Sequence, residues 1–262
     1  MNNTHHLLWT GGWDSTFRML QLIIINKNIV QPYYVVDPFR WSLVQEFKAM
    51  SRIKKLFRQR YPQVSNLLMP TILFDKTDIR EDRQIADSFF GLRNKLGGQY
   101  EWLAMWAKQT GIKDLELAIE QTDSRAGCLP VVRSFLKKTE NGHVVDDEHA
   151  GTPEHDLFRY FLFAVTDVSK LDMLRIAREN GFADILELSW FCHRPKVSSL
   201  PCGTCNPCKS TKHKGLGYRL GVYGNIAYFL NNFLDVRRYV NKDSSLYPVL
   251  KNVLAFVKNR PS

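Results

Sequence analysis

The sequence predicts an α/β protein with a doubly wound, mostly parallel sheet. Short apolar runs alternate with helical segments over the first 190 residues, and the links between them are short. Such alternation favours right-handed parallel crossovers. A chain of 262 residues that is 44% hydrophobic can bury a full core. We therefore predict an α/β domain over residues 1–190, a short cysteine-rich segment over 191–214 and a helical extension over 215–262.

The first strand leads through a glycine turn into a helix. The apolar run 7–9 is followed by Thr10, Gly11 and Gly12, and a helical segment then opens with an aspartate and two hydroxyl residues. Glycines let the backbone approach a ligand, and a helix amino terminus attracts anions. We expect a nucleotide phosphate to bind here, and Asp14 to hold a magnesium ion. The expected phosphate-binding residues are Thr10, Gly11, Gly12, Ser15 and Thr16. A turn that binds nothing is the alternative, but such a turn does not require Asp-Ser-Thr directly after it.

A second predicted strand, 33–37, ends at Asp37. The carboxyl end of a strand in a doubly wound sheet faces the ligand cleft, so Asp37 either contacts a ribose or base or simply closes the strand. A basic helix is predicted over 41–61 and a strand over 67–74, in which Pro70 indicates a sheet edge or a bend. Residues 75–93 are polar and predict a loop with a short helix.

The remaining elements continue the alternation to the end of the first domain. In order, we predict a helix that follows 92–94 and runs to about 109, a strand over 115–119, an exposed acidic insertion over 137–156, a strand over 160–165, a helix over 171–180, and two apolar helical segments over 218–233 and 247–257. His143, His149 and His155 in the insertion offer a possible metal site. A solvated loop is favoured, since no pair has helical ligand spacing.

Four of the five cysteines fall within one short segment. They are Cys192, Cys202, Cys205 and Cys208. Thiolates separated by two-residue gaps can close a tetrahedron around zinc, and four protein ligands make such a site structural rather than catalytic. Disulfides are the competing interpretation, and they are disfavoured in a chain whose start lacks the order of a secretory signal.

The formal net charge of +10 makes an acidic partner plausible, such as a nucleotide, a nucleic acid or an acidic protein. A basic solvated surface explains the same charge, because the cations are spread over the whole chain. No apolar run approaches the length of a membrane span, so we expect no membrane partner and a cytoplasmic location. The aromatic carboxyl-terminal tail suggests a homodimer.

The run from Thr10 to Thr16 resembles the Ser-Gly-Gly-x-Asp-Ser signature of the PP-loop ATP pyrophosphatases, which have an adenine nucleotide alpha hydrolase-like fold. Together with the four cysteines, it makes the chain similar to the 7-cyano-7-deazaguanine synthases of the queuosine pathway. Weaker matches to that family lie at Arg93-Asn94, at 121–123, at 166–170 and at Ser189-Trp190-Phe191.

The resemblance implies that ATP, with Mg²⁺, adenylates the carboxylate of 7-carboxy-7-deazaguanine and that ammonia displaces AMP, first to an amide and then to the nitrile. It implies that Asp14 carries magnesium, that Lys170 or Arg93 neutralises transition-state charge, and that Asp123 lies at the strand end facing the substrate. Solvated roles for Lys170 and Arg93 are the alternative. The family's Tyr-Pro-Asp-Cys-Arg segment keeps only its cysteine here, Cys128, which leaves the substrate open.

Two other functions are compatible with these motifs. Relatives of the synthase occur in antiphage gene clusters, so the same adenylation chemistry could attach a deazaguanine to a protein or nucleic-acid acceptor. A transfer-RNA thiolase belongs to this class, but zinc would leave it only Cys128 as a catalytic thiol. The third possibility is a nucleic-acid-binding module that uses the lysines near the cysteines, namely Lys196, Lys209, Lys212 and Lys214.

Overall fold

The computed structural model describes residues 4–121, 127–196, 199–233 and 248. The chain divides into two compact units, Met1–Trp190 and Phe191–Ser262. The strands of the first unit are β1 (Thr4–Leu8), β2 (Ile29–Val36), β3 (Ile72–Asp75), β4 (Leu115–Glu116), β5 (Leu136–Thr139), β6 (Gly142–Val145) and β7 (Phe161–Leu162). Its helices are α1 (Trp13–Leu20), α2 (Leu43–Arg60), α3 (Arg83–Leu92), α4 (Gln99–Thr110), α5 (Cys128–Val132), α6 (Pro153–Phe158), α7 (Lys170–Glu179) and α8 (Ala183–Leu186).

Five strands form one parallel sheet in the order β3-β2-β1-β4-β7. Neighbouring residues of a strand point to opposite faces, and both Leu7 and Leu8 of β1 are buried, so both faces of the sheet are covered. The predicted α/β class with a mostly parallel sheet is therefore confirmed. The chain moves outward from β1 to β3 and then returns to β4 on the other side of β1. This reversal makes the carboxyl ends of β1 and β4 the expected ligand site.

Several element boundaries differ from the prediction. The first helix continues as a π-helical turn over Gln21–Ile25. The strand expected over 67–74 is shorter, because a 3₁₀ turn occupies Pro62–Leu67 and β3 begins only after Pro70, at the sheet edge. The helix expected directly after Asn94 begins only at Gln99, since Gly97 and Gly98 delay its start. The polar stretch before it contains the ten-residue helix α3, whose cap Asp82 accepts the Ile85 N–H.

The segment predicted as an exposed insertion is folded onto the sheet. β5 and β6 form an antiparallel hairpin, and His143 and Phe163 exchange two backbone hydrogen bonds beside β7. α6 follows with His155 and Asp156 buried. The prediction of exposure is therefore wrong for Val145, His155 and Asp156, which are buried, whereas the other residues of 137–156 are exposed or half-buried.

A buried ionic cluster fastens α1 to the sheet. Arg18 Nε donates to Glu116 Oε2 at 2.6 Å, and His5 Nδ1 lies 2.6 Å from Glu116 Oε1. Glu116 is fully buried in β4. Burial alone raises the pKa of this carboxyl, but His5 and Arg18 outweigh it and hold the pKa below its usual range. A charged Glu116 therefore stabilises the fold.

We expect Glu116→Gln to lower the free energy of unfolding by about 3 kcal/mol at neutral pH, because the buried Arg18 loses its charged partner. The depressed pKa means that the parent's advantage is complete above about pH 5 and shrinks as the pH falls below about 4. Urea unfolding of both proteins at neutral and acidic pH measures this difference. Glu179→Gln is the control, since Glu179 pairs with Arg175 on an exposed helix face. Equal midpoints for the two variants at neutral pH would contradict the prediction.

The described part of the second unit contains α9 (Asn206–Thr211) and α10 (Gly221–Phe233). It holds the four clustered cysteines and the first of the two predicted apolar helices. The second, predicted over 247–257, lies outside the described residues apart from residue 248. In the portion of the chain that is described, no helix is both long and apolar enough to cross a bilayer.

Candidate functional site

The glycine loop follows β1 and caps α1, at the switch point of the sheet. Gly11 is buried and has φ +68°, and a Cβ on it would lie 2.9 Å from Met50 Cγ and 3.2 Å from the Glu46 carbonyl oxygen. Its carbonyl accepts the Trp190 N–H at 2.8 Å. Gly11 is therefore required for the close approach of α2, whereas the half-buried Gly12 is the N-cap residue of α1. Gly12 has no side chain, so no side-chain hydrogen bond caps the amino terminus of α1.

The hydroxyl residues of the loop have unequal exposure. Thr16 is fully buried, and its Oγ1 accepts the Trp9 indole N–H at 3.0 Å. Ser15 is 8% exposed, and Thr10 is half-buried. The Thr16 hydroxyl is therefore engaged by the Trp9 indole within the protein. Thr10 is the most accessible of the three hydroxyl residues.

Three charged side chains meet beside this loop. Lys170 Nζ donates to Asp14 Oδ1 at 2.6 Å and lies 3.2 Å from Glu120 Oε1. The three come from the first turn of α1, the residues just after β4 and the first residue of α7. The Lys170 side chain is 13% exposed and that of Asp14 is 23% exposed. The carboxyl ends of β1 and β4 thus carry a partly accessible lysine held by two carboxylates.

The charge state of this cluster follows from its geometry. Burial lowers the pKa of Lys170, but the charges of Asp14 and Glu120 outweigh burial and leave that pKa above its usual range. Lys170 is therefore cationic at neutral pH. Two adjacent carboxylates are suitable oxygen ligands for a divalent cation.

Local contacts position Lys170 and Glu120. Ser169 caps α7 by accepting the Asp172 N–H, which fixes the start of the helix at Lys170. The Gln121 N–H donates to the Val168 carbonyl at 3.1 Å and ties the residue after Glu120 to the loop before α7. The cluster is therefore built on helix starts and a strand end rather than on a loose loop.

Two of the other expected site residues have partners of their own. Lys76 Nζ donates to Asp37 Oδ2 at 2.8 Å, and the Phe39 N–H donates to Asp37 Oδ1 at 3.1 Å. Burial raises the pKa of Asp37, but the bonds from Lys76 and Phe39 reverse this and leave it lowered. Arg93 is exposed and stacks on Phe90, with its guanidinium 3.9 Å from the ring centroid. Asp123 lies outside the described residues.

Cys128 and Tyr100 form a hydrogen bond within the same unit. Burial raises the pKa of both side chains, and the charge of Asp14 contributes a small further increase for Tyr100. Both groups are therefore protonated at neutral pH. Because a thiolate is the nucleophilic form of cysteine, Cys128 lacks the environment of a catalytic thiol.

The four clustered cysteines of the second unit could hold a metal ion. Their sulfurs all lie within 4.8 Å of one another, and the Cys202–Cys208 and Cys192–Cys205 pairs are both separated by 3.9 Å. A tetrahedron with Zn–S bonds of about 2.3 Å has edges of about 3.8 Å, so these separations fit zinc. They are far longer than the roughly 2.05 Å of a disulfide, and all four cysteines are free.

Backbone donors surround the same sulfurs. The Thr204 and Cys205 N–H groups donate to Cys202 Sγ at 3.4 and 3.3 Å, and the Cys202 N–H donates to Cys192 Sγ at 3.2 Å. Hydrogen bonds from the neighbouring thiols, Cys192 first, lower the pKa of Cys202. These donors favour the thiolate form that binds metal. Among the described residues, no second cluster of this kind forms. His143 bonds to Thr166, His155 bonds to Asp147, and His149 packs against the Phe135 ring.

Sequence reasoning missed Glu120 and Tyr100. Glu120 directly follows the predicted strand 115–119, so the rule that strand ends face the ligand could have selected it along with Asp37. Tyr100 is one of several aromatic residues in α4, and no local signal distinguishes it.

Comparison of the chain with protein-family models, with curated proteins and with solved structures found no match. The function must therefore be inferred from the geometry of this chain's own residues.

Proposed function

We propose that this protein is an ATP-dependent ligase that adenylates the carboxylate of 7-carboxy-7-deazaguanine, releases pyrophosphate and transfers ammonia to the activated carbon. The observation that carries the proposal is Lys170, held between Asp14 and Glu120 beside the glycine loop. Adenylation solves a chemical difficulty, because hydroxide is a poor leaving group from a carboxylate and AMP is a good one.

In the proposed reaction, a substrate carboxylate oxygen attacks the α-phosphorus of ATP and pyrophosphate leaves. Ammonia then forms a C–N bond, AMP leaves with the oxygen, and a proton is lost to give the amide. In a second round the amide oxygen attacks the α-phosphorus of ATP and pyrophosphate leaves. AMP then departs with that oxygen, and loss of both protons from the nitrogen gives the nitrile. When bound, Mg²⁺ neutralises phosphate charge, as metal ions do in phosphoryl transfer.

Each residue of the cluster has a defined task in this scheme. Asp14 and Glu120 would hold the metal, and Lys170 would bind a non-bridging phosphate oxygen whose negative charge increases as pyrophosphate departs. The first-turn amides of α1, beside Gly12, would bind the pyrophosphate, since helix amino termini favour anions. The ion pairs already orient Lys170, so little reorganisation accompanies the reaction.

A pyrophosphate-release assay with purified full-length protein tests the proposal. We expect release only when MgATP and 7-carboxy-7-deazaguanine are both present, with the amide and nitrile appearing by mass spectrometry after ammonium is added. Benzoate as a matched aromatic carboxylate should give no release above background. No release under any combination would contradict adenylation. Release that continues without ammonium and adds mass to a protein or RNA would instead assign the same chemistry to a macromolecular acceptor.

A further inference from the structure

α2 presents a cationic face to solvent. Lys48, Arg52, Lys55 and Arg58, here called the basic face, are all exposed. At 100° per residue they fall within an arc of about 120°, opposite the buried stripe of Ala49, Met50, Ile53 and Phe57. The face extends for about 15 Å along the helix.

Nothing on the helix neutralises this face. The helix has six cations and a single acid, Glu46, which is buried and bonded to Tyr34, Ser42 and Arg40. Within the part of the chain that the structure describes, none of the four basic-face residues makes an ion pair. Arg60 pairs with Asp184 and does not belong to the face.

The positive charge of Arg58 also affects the pKa of the neighbouring Lys54. Its Nζ donates to Thr71 Oγ1 at 2.7 Å and lies 5.4 Å from the Trp9 ring centroid. Burial first, and then the charge of Arg58, lowers the pKa of Lys54. Arg58 is therefore close enough to Lys54 for their positive charges to repel each other.

Two aromatic rings project from the loop that precedes α2. Phe39 is 84% exposed and Trp41 is 77% exposed. The loop is held by a turn, since Asp37 accepts the Phe39 N–H through its side chain and the Arg40 N–H through its carbonyl. Exposed aromatic rings on a hydrogen-bonded turn that leads into a row of cations match the two needs of a single-stranded nucleic acid, which are faces for base stacking and charges for phosphates.

We infer that Phe39, Trp41 and the basic face of α2 form a binding surface for single-stranded nucleic acid. Phosphates would lie along the four cations, and unpaired bases would stack on the two rings. An acidic protein would use the cations but has no need of exposed rings. An anionic membrane is disfavoured because the apolar stripe of α2 is buried in the core and is not available for insertion. The inference stands independently of the proposed ligase activity.

Fluorescence anisotropy with a short labelled oligouridine over a range of salt concentrations tests this inference. Binding should weaken steeply with salt, by about 0.7 in the log–log slope for each phosphate contact. The variant Lys48→Gln/Arg52→Gln/Lys55→Gln/Arg58→Gln should bind at least about 10-fold more weakly at low salt, with the slope reduced by about 3. Phe39→Ala/Trp41→Ala should also lose about 10-fold or more, but with an unchanged slope, because stacking releases no counterions.

A matched control separates the surface from net charge. Lys95, Lys113, Lys138 and Arg178 are exposed cations elsewhere in the same unit, and changing all four to glutamine removes the same charge. The inference predicts near-parental binding for this control. Equal losses in both quadruple variants would overturn it, as would tight binding of polyglutamate or phosphatidylserine vesicles with no binding of oligouridine. Should the basic-face variant fail to fold, Arg52→Gln/Lys55→Gln must still reduce the slope by about half as much.

Discussion

Replacing Asp14 by asparagine is expected to reduce pyrophosphate release by about a thousandfold, while the protein stays folded. The substitution keeps the size of the side chain but removes the carboxylate that both binds Lys170 and would hold Mg²⁺. Without this carboxylate, the Mg²⁺ that would stabilise the departing pyrophosphate is not held, and Lys170 loses the partner that orients it. Steady-state rates of pyrophosphate release, with thermal melting as a check on folding, measure the effect.

The matched control for this variant is Asp172→Asn. Asp172 also lies in the first turn of a helix, but its partners are Ser169 and Arg175 rather than Lys170. We expect its rate to stay within about twofold of the parent, despite a stability loss of about 1 kcal/mol from the altered cap. If Asp14→Asn and Asp172→Asn release pyrophosphate equally fast, the cluster is not the catalytic centre.

The sequence was most informative where chemistry is encoded locally. Short patterns identified the important segments. The glycine loop and the first-turn Asp14 lie in the structure at the carboxyl end of a strand, and the closely spaced cysteines come together in one sulfur cluster. Lys170 is 156 positions from Asp14, and only the family resemblance linked the two. Their contact depends on α7 packing beside α1, which no local pattern specifies.

Several features depend on tertiary contacts that the sequence does not reveal. Gly11 was expected to let the backbone approach a ligand, and in the structure its missing side chain also allows the close approach of α2. Residues 137–156 are rich in charge, which suggested an exposed loop. In the structure, two backbone hydrogen bonds between His143 and Phe163 join this segment to the chain directly after β7. Glu116 lies in an otherwise apolar strand, where a buried carboxylate is unexpected. Its partners Arg18 and His5 come from elements far away in the sequence, so the strand's own pattern does not reveal them. Buried polar groups of this kind depend on partners that a linear pattern does not reveal.

Cys208→Ala is expected to abolish metal binding, reducing zinc from one atom per chain to less than about a tenth, and to unfold much of the second unit. A structural zinc contributes an apparent binding free energy of about 10 kcal/mol or more, which the folded unit loses with its ligand. Metal content by mass spectrometry and helix content by circular dichroism measure both effects. Cys128→Ala is the matched control, since Cys128 is equally buried but lies outside the cluster. A Cys208→Ala protein with parental zinc content would contradict the assignment.

The loss should reach α10, because the cysteine loop and that helix are packed backbone to backbone. Gly203 has φ +74°, and a Cβ on it would lie 2.1 Å from the Gly224 carbonyl oxygen and 2.9 Å from the Tyr228 amide nitrogen. Such an approach requires the loop between Cys202 and Cys205 to keep its shape, and the metal would fix that shape. A chelator should therefore lower the helix signal of the parent and expose α10 amides to hydrogen exchange. Unchanged exchange in α10 after zinc removal would show that the loop holds its conformation without the ion.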